Sequence, residues 1–259
     1  MSFPPPSTIL ITGATGAIGS ALALAYAAPG CTLVLHGRNA ARLREVAQAC
    51  EARGARAETM VLDLQDVNAL IAWLEEAGSR HAVDLAIVNA GTIGIVRPGG
   101  KGETWEDVRR IADVNVRAAL ATVTTLLPYM LRRGSGQIAL MSSLLAYVGL
   151  PAAPAYSASR AAVRIYGETV RAPLARHGIR VNVVLPGFVK SDMSDQLPVT
   201  KLFLMNAEAA ARRIQRGLSK NRARISFPWP LALACWSLSL LPPALAQRLL
   251  ALIESKSNS

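Results

Sequence analysis

From Thr8 onward, short runs of β-branched and other apolar residues alternate with longer alanine- and leucine-rich segments whose apolar positions recur with helical period. The short runs predict strands at Ile9–Thr12, Thr32–His36, Ala57–Leu62, Leu85–Asn89, Gln137–Met141 and Arg180–Leu185, with a further candidate at Arg224–Phe227. Helices are expected in the gaps. The runs read as apolar on both faces, as burial between two helical layers requires. With right-handed crossovers, this alternation predicts an α/β, doubly wound, mostly seven-stranded parallel sheet with helices on both faces. No internal repeat and no Gly-, Pro- or Ser-rich linker divides the chain, so one domain is expected over 1–259, with 228–259 as an apolar helical extension.

That extension breaks the pattern. Ile225–Gln247 runs 23 residues without a charge, directly after a segment holding Arg212, Arg213, Arg216, Lys220, Arg222 and Arg224. Pro228, Pro230, Pro242 and Pro243 leave 11 uninterrupted residues between them. At 1.5 Å per residue, that is about 16 Å of helix against a hydrocarbon core of about 30 Å, too short to span a bilayer. Three roles stay open: packing against its own domain or another subunit, an interfacial membrane contact helped by the basic cluster, and a lid over an apolar substrate.

A hydrophobic content of 51% over 259 residues is ample for a buried core. The net charge of +11 would attract phosphates, nucleic acid or an anionic membrane surface. Aromatic residues make up only 5% and are not interleaved with the basic ones, which argues against nucleic acid as a partner. Cys31, Cys50 and Cys235 are odd in number and lack the close spacing of metal ligands, so reduced thiols and no metal site are expected. The opening MSFPPPSTILITGATG has no basic leader and three prolines, so export is not expected and a cytoplasmic protein, peripheral to a membrane if the tail makes that contact, is.

The candidate chemistry begins at the first strand. In ILITGATGAIGSALALAYA, Gly13, Gly16 and Gly19 close a buried strand and open a helix, where backbone N–H groups and the helix dipole favour a diphosphate. These features predict a Rossmann-type nucleotide site. The second strand ends LVLHGRN, without the acidic residue that would bind an adenosine ribose in an NAD site. Gly37 leaves room and Arg38 supplies a guanidinium suited to a 2′-phosphate, so NADP is expected over NAD.

Several motifs then converge: NAG at Asn89–Gly91, VNV around Asn115, MSS ending at Ser143, YSASR starting at Tyr156, and LPGFVKSDM after the sixth strand. In this order and approximate spacing the chain resembles the short-chain dehydrogenase/reductase family over roughly residues 7–228. The resemblance implies an NADP(H)-dependent oxidoreductase transferring a hydride between nicotinamide and a carbonyl or alcohol. It implies cofactor contacts from Gly13, Thr15, Gly16, Ala17, Ile18 and Gly19, from Asp63 and Leu64 near the adenine, and from Asn89, Ala90 and Gly91. Pro186, Gly187, Val189 and Ser191 would frame the nicotinamide. Tyr156 would be the acid in reduction and the base in oxidation, Ser143 would bind the substrate oxygen, and Asn115 would hold a water or a backbone group. It also implies a homodimer or homotetramer built from the helices around Asn115 and Tyr156.

Two departures stand out. Ala17 occupies the usual second-glycine position, and Arg160 stands where the family has lysine, four residues after the tyrosine. That spacing puts Tyr156 and Arg160 on one helix face, able to share a cofactor. A free phenol titrates near 10, poorly matched to neutral pH, and a neighbouring cation favours its phenolate. Arginine can supply that charge and ribose hydrogen bonds, but it is a poor proton relay. Two readings follow: a working reductase, or a catalytically impaired nucleotide-binding protein with a regulatory, scaffold or membrane-surface role.

The substrate is only faintly indicated. Lys190–Asn206 contains Met193, Leu197, Val199, Leu202, Phe203, Leu204 and Met205, which suits an apolar ketone or alcohol and equally suits an amphipathic helix packed on the core.

Overall fold

The computed structural model describes residues 5–96, 102–197, 199–246 and 248–249. Seven strands form one sheet in the order β3-β2-β1-β4-β5-β6-β7. They are β1 (Thr8–Thr12), β2 (Thr32–Gly37), β3 (Arg56–Val61), β4 (Leu85–Val88), β5 (Gly136–Met141), β6 (Ile179–Pro186) and β7 (Arg224–Phe227). Every pairing is parallel.

Each expected strand is present, with ends displaced by a residue or so. β4 stops at Val88 because Asn89 leaves the ladder to bind the end of β1. Burial between two layers holds for β1, β2 and β4 to β6. It fails for β3, an edge strand with Val61 exposed.

Successive side chains along a strand face opposite sides. Ile9, Ile11, Leu33 and Leu35 enter one core with helices α1 (Ala17–Tyr26), α2 (Ala40–Glu51) and α8 (Ala207–Ser219). Leu10, Val34, Ala86 and Val88 enter the other, with α3 (Val67–Arg80), α5 (Ala118–Arg133) and α6 (Pro154–Ala175). Short α4 (Trp105–Ile111) runs into α5 through a π-helical turn at Ala112–Arg117, which carries Asn115.

Two segments after β6 complete the architecture. Among the described residues of 190–206 the backbone is mostly irregular, with one helical turn, α7 (Asp192–Asp195), in place of the amphipathic helix considered for this segment. The tail forms α9 (Trp229–Leu238), whose inner side joins a cluster of Leu144, Ala146, Val148, Val183 and Leu185 through Cys235. Residues 247 and 250–259 of the expected extension lie outside the described residues.

Candidate active site

Parallel strands deliver their carboxyl ends to the same edge of the sheet, and the crevice between β1 and β4, where the strand order reverses, lies at that edge. A cavity of about 1020 Å3 opens there.

The glycine turn is built by close backbone approach. Gly13 has a φ of +70°, a region that glycine enters at no steric cost. A Cβ on Gly13 would lie 2.8 Å from Ala90 Cα, and one on Gly19 would lie 2.1 Å from the Gly13 carbonyl oxygen. A Cβ on Gly16 would meet only that oxygen, at 3.5 Å. All three glycines line the cavity; Gly13 and Gly19 are also needed for packing, whereas Gly16, at the N-cap of α1 without a side-chain cap, is not. Thr15, Ala17 and Ile18 line the same wall. The first turn of α1 thus opens on the cavity at the positive end of its dipole.

Side chains lock this turn from both neighbouring strands. Asn89 Nδ2 donates to the Thr12 and Gly13 carbonyls at 3.1 and 3.0 Å, while Thr12 Oγ1 accepts the Asn89 and Ala90 N–H groups at 3.1 Å. From β2, His36 Nδ1 accepts the Gly13 N–H at 3.3 Å, and its Nε2 lies 3.0 Å from the Leu62 carbonyl. This fixes the neutral tautomer with hydrogen on Nε2. Burial lowers the His36 pKa, the Leu62 bond opposes that, and Arg38 and Asp63 add smaller contributions of opposite sign. Sequence reasoning missed His36, although a polar residue in an otherwise apolar strand end was the available signal.

At the tip of β2, Gly37 does not leave open room: a Cβ there would lie 2.6 Å from Thr15 Cγ2. Its bareness admits Thr15 instead. Arg38 is exposed at the cavity rim, with no ion pair among the described residues. Asp63 accepts from its neighbour Gln65 at 3.0 and 3.2 Å, and Leu64 is buried beside it.

The opposite wall carries the expected chemistry. β5 delivers Ser143, whose Oγ accepts the Leu145 N–H at 3.2 Å and keeps its own hydrogen to donate. Tyr156 and Arg160 are both buried on α6, one turn apart, with the guanidinium carbon 5.0 Å from the phenol ring centre. Arg160 turns inward. Its Nη1 donates to the Met141 carbonyl at 3.0 Å, Ser142 Oγ donates to the Arg160 carbonyl at 2.8 Å, and Nη2 crowds Gly91, where a Cβ would lie 1.9 Å away. The Arg160 Nε is buried without a partner.

Of the expected residues, Asn115 is the one that does not line the cavity. Its Oδ1 accepts the Thr92 N–H at 2.7 Å, and its Nδ2 donates to the Thr92 carbonyl and to Ser159 Oγ, each at 2.9 Å. Of the two roles expected for it, it holds a backbone group, tying the segment after β4 to α6. Arg110, also unforeseen, reaches the same segment through Thr92 Oγ1 and pairs with Asp107 at 2.6 Å.

Pro186 ends β6, and with Gly187, Val189 and Ser191 after it lines the cavity. Ser191 caps α7 through a reciprocal bond with Ser194, and Gly187 lets α9 approach, since a Cβ there would lie 3.0 Å from Leu231 Cδ2. Leu145, Val148, Leu150, Met193, Leu197 and Val199 give the cavity a mainly apolar stretch of lining, with Ser194, Gln196 and Thr200 among them. Leu231, Ala234, Cys235 and Leu238 of α9 join that lining, so the tail both packs on its own domain and walls the cavity.

The residues present fit a dinucleotide. A bare helix N-terminus and the Arg160 side chain, whose buried Nε has no partner, border one cavity, while no cluster of metal-ligating side chains occurs among the described residues. Comparison with known proteins agrees. The family model for short chain dehydrogenase matches residues 7–201. An uncharacterized oxidoreductase of Myxococcus xanthus is 35% identical over 239 residues, 91% of this chain and 92% of that protein. Another of Mycobacterium tuberculosis is 36% identical over 251 residues, 93% and 96% of the two chains. Among solved structures, a short-chain dehydrogenase from Sphingobium yanoikuyae in complex with NADPH superposes with a TM-score of 0.77 at 25% identity, covering 85% of this chain and 87% of its own.

Proposed function

The chain belongs to the short-chain dehydrogenase/reductase family and is an oxidoreductase, and from this premise we propose that it passes a hydride between NADP(H) and an apolar ketone or alcohol. The observation that carries the reading is the inward Arg160 guanidinium, buried beside Tyr156 at the junction between the glycine-turn wall and the apolar end of the cavity.

Bound nicotinamide would supply or accept the hydride. The protein supplies the rest. The Tyr156 hydroxyl gives its proton to the carbonyl oxygen as negative charge develops there, and takes it back in oxidation. Ser143 donates a hydrogen bond to the same oxygen and so stabilises that charge. Arg160 lends a permanent positive charge to the phenolate left behind, and its guanidinium, which borders the cavity beside Gly91, would offer hydrogen bonds to ribose hydroxyls. Asn115 acts as a positioning residue through Thr92 and Ser159. The first turn of α1 would hold the diphosphate.

NADP is favoured over NAD because the β2 tip offers an exposed, unpaired Arg38 and no carboxylate. The NADPH complex of the Sphingobium relative supports the same choice. The test is steady-state oxidation of NADPH and NADH with a panel of apolar ketones. Wild type should prefer NADPH, and Arg38→Asp should reverse the ratio of kcat/KM values. Equal constants in wild type, or an unchanged ratio in the variant, would remove the preference. Tight NADPH binding with no turnover on any carbonyl would instead indicate an impaired binding protein.

A further inference from the structure

Helix α9 is apolar on two opposite sides. One stripe, Leu231, Ala234, Cys235 and Leu238, lines the cavity. The other runs Trp229, Leu233, Trp236 and, just past the helix, Leu240, spaced i, i+4, i+7 and i+11, and these are 72, 52, 45 and 66% exposed. A helix hydrophobic all round belongs in an interior or against lipid. On the chain's own account only the inner stripe is satisfied. A second exposed apolar segment, Leu202–Leu204, begins with a residue that lines the same cavity.

The charge of the flanking sequence points to the occupant of the outer stripe. Residues 209–253 contain Arg212, Arg213, Arg216, Lys220, Arg222, Arg224 and Arg248, and no Asp or Glu. Arg224 is neutralised by Glu168 at 2.6 and 2.8 Å; the others on α8 and the loop after it are exposed. Pairing two copies through α9 would bring two such acid-free segments together, in a chain whose net charge is already +11. An anionic lipid surface meets both features. It attracts the cations over a Debye length, and it accepts tryptophan and leucine at headgroup depth.

We propose that the outer stripe of α9 seats on an anionic membrane surface, and that the cavity behind the helix takes its apolar carbonyl substrate from that surface. The first half stands on charge and exposure alone; the second rests on the apolar-substrate reading of the cavity. With only ten residues, α9 lies on the surface and does not cross it. The helix is then a shared wall between lipid and active site.

The test uses the full chain and vesicles of phosphatidylcholine, with and without about 30% phosphatidylglycerol. Wild type should co-sediment with the anionic vesicles and be released by high salt. Trp229→Ser with Trp236→Ser should weaken that binding by about tenfold or more, and Arg212→Glu with Arg213→Glu should weaken it as well. NADPH affinity should not change, because neither tryptophan lines the cavity. Absence of vesicle binding, or binding untouched by the tryptophan pair, overturns the proposal. So does a change from oligomer to monomer in the tryptophan variant with vesicle binding intact, because the stripe would then belong to a second copy. For the delivery half, turnover of a ketone dissolved in vesicles should fall in the tryptophan variant while turnover of a water-soluble ketone stays constant. An equal fall for both overturns that half, and no turnover of any ketone by wild type would sink the oxidoreductase reading while leaving the vesicle result standing.

Discussion

The two ends of the cavity are built by different means. At the dinucleotide end, glycine turn, Asn89, Thr12 and His36 are joined backbone to backbone or side chain to backbone, with clearances as small as the 2.1 Å between a Gly19 Cβ and the Gly13 oxygen. At the other end, Leu150, Leu197 and Val199 on irregular backbone line the cavity with Met193 of α7 and the inner side of α9, through side chains alone. The first end recognises an invariant ligand and cannot shift without breaking buried hydrogen bonds. The second can change its shape by exchanging one apolar residue for another, since volume-conserving swaps cost little. On the proposed function, affinity for the common ligand would be fixed where the fold is stiff, and selectivity left where it is adaptable.

Tyr156 sits on the seam and should show the largest effect. Tyr156→Phe keeps the ring in its cluster with Ile93, Leu150 and Leu197 and deletes only the proton donor. Turnover should fall by about 10² to 10⁴, with NADPH binding measured by fluorescence titration unchanged. Retained turnover would place the acid elsewhere and dissolve the seam. Next come the glycines. Gly19→Ala must push its methyl into the Gly13 carbonyl, an overpacking cost of about 1–3 kcal/mol, and should lower the melting temperature and NADPH affinity together. Gly16→Ala, with 3.5 Å of clearance, should leave the melting temperature near wild type. Equal losses would mean that the turn is not set by backbone contact.

The same division governs what the sequence could disclose. Glycine spacing, the strands and the parallel doubly wound sheet were legible because stiff backbone geometry demands fixed residue types at fixed intervals, and the Asn89, Ser143 and Tyr156 motifs were legible through the family resemblance. The fate of Lys190–Asn206 was not, because an apolar run serves helix packing and cavity lining equally, and only its irregular backbone decided between them. Gly37 was read as space for a phosphate when its neighbour Thr15 fills that space. Such a contact joins residues 22 positions apart and leaves no local trace. Asn115 was legible as a site residue, but its exclusion from the cavity depended on Thr92 and Ser159, distant in sequence.

At the adaptable end a smaller effect is expected. Ala234→Phe adds a ring to the α9 wall and should raise KM for bulky ketones by about 10-fold while leaving small ketones and the NADPH dissociation constant alone. A loss shared by all substrates would show that the wall is as stiff as the glycine turn.

The smallest effect concerns His36, where the stiff end meets pH. Burial depresses its pKa in the folded chain, and Nδ1 must stay unprotonated to accept the Gly13 N–H. Unfolding restores an ordinary value near 6.5, so below that pH the unfolded chain binds the extra proton and the folded chain resists it. Stability from this group is therefore complete above about pH 6.5 and is lost as pH falls through the depressed folded value. NADPH affinity should weaken over the same acid range, because a protonated Nδ1 would face the Gly13 N–H donor to donor and loosen the turn. His36→Gln should flatten that part of both profiles relative to wild type, with His81 and His177 common to the two proteins. Parallel acid limbs in the two proteins would show that the glycine turn is held without His36.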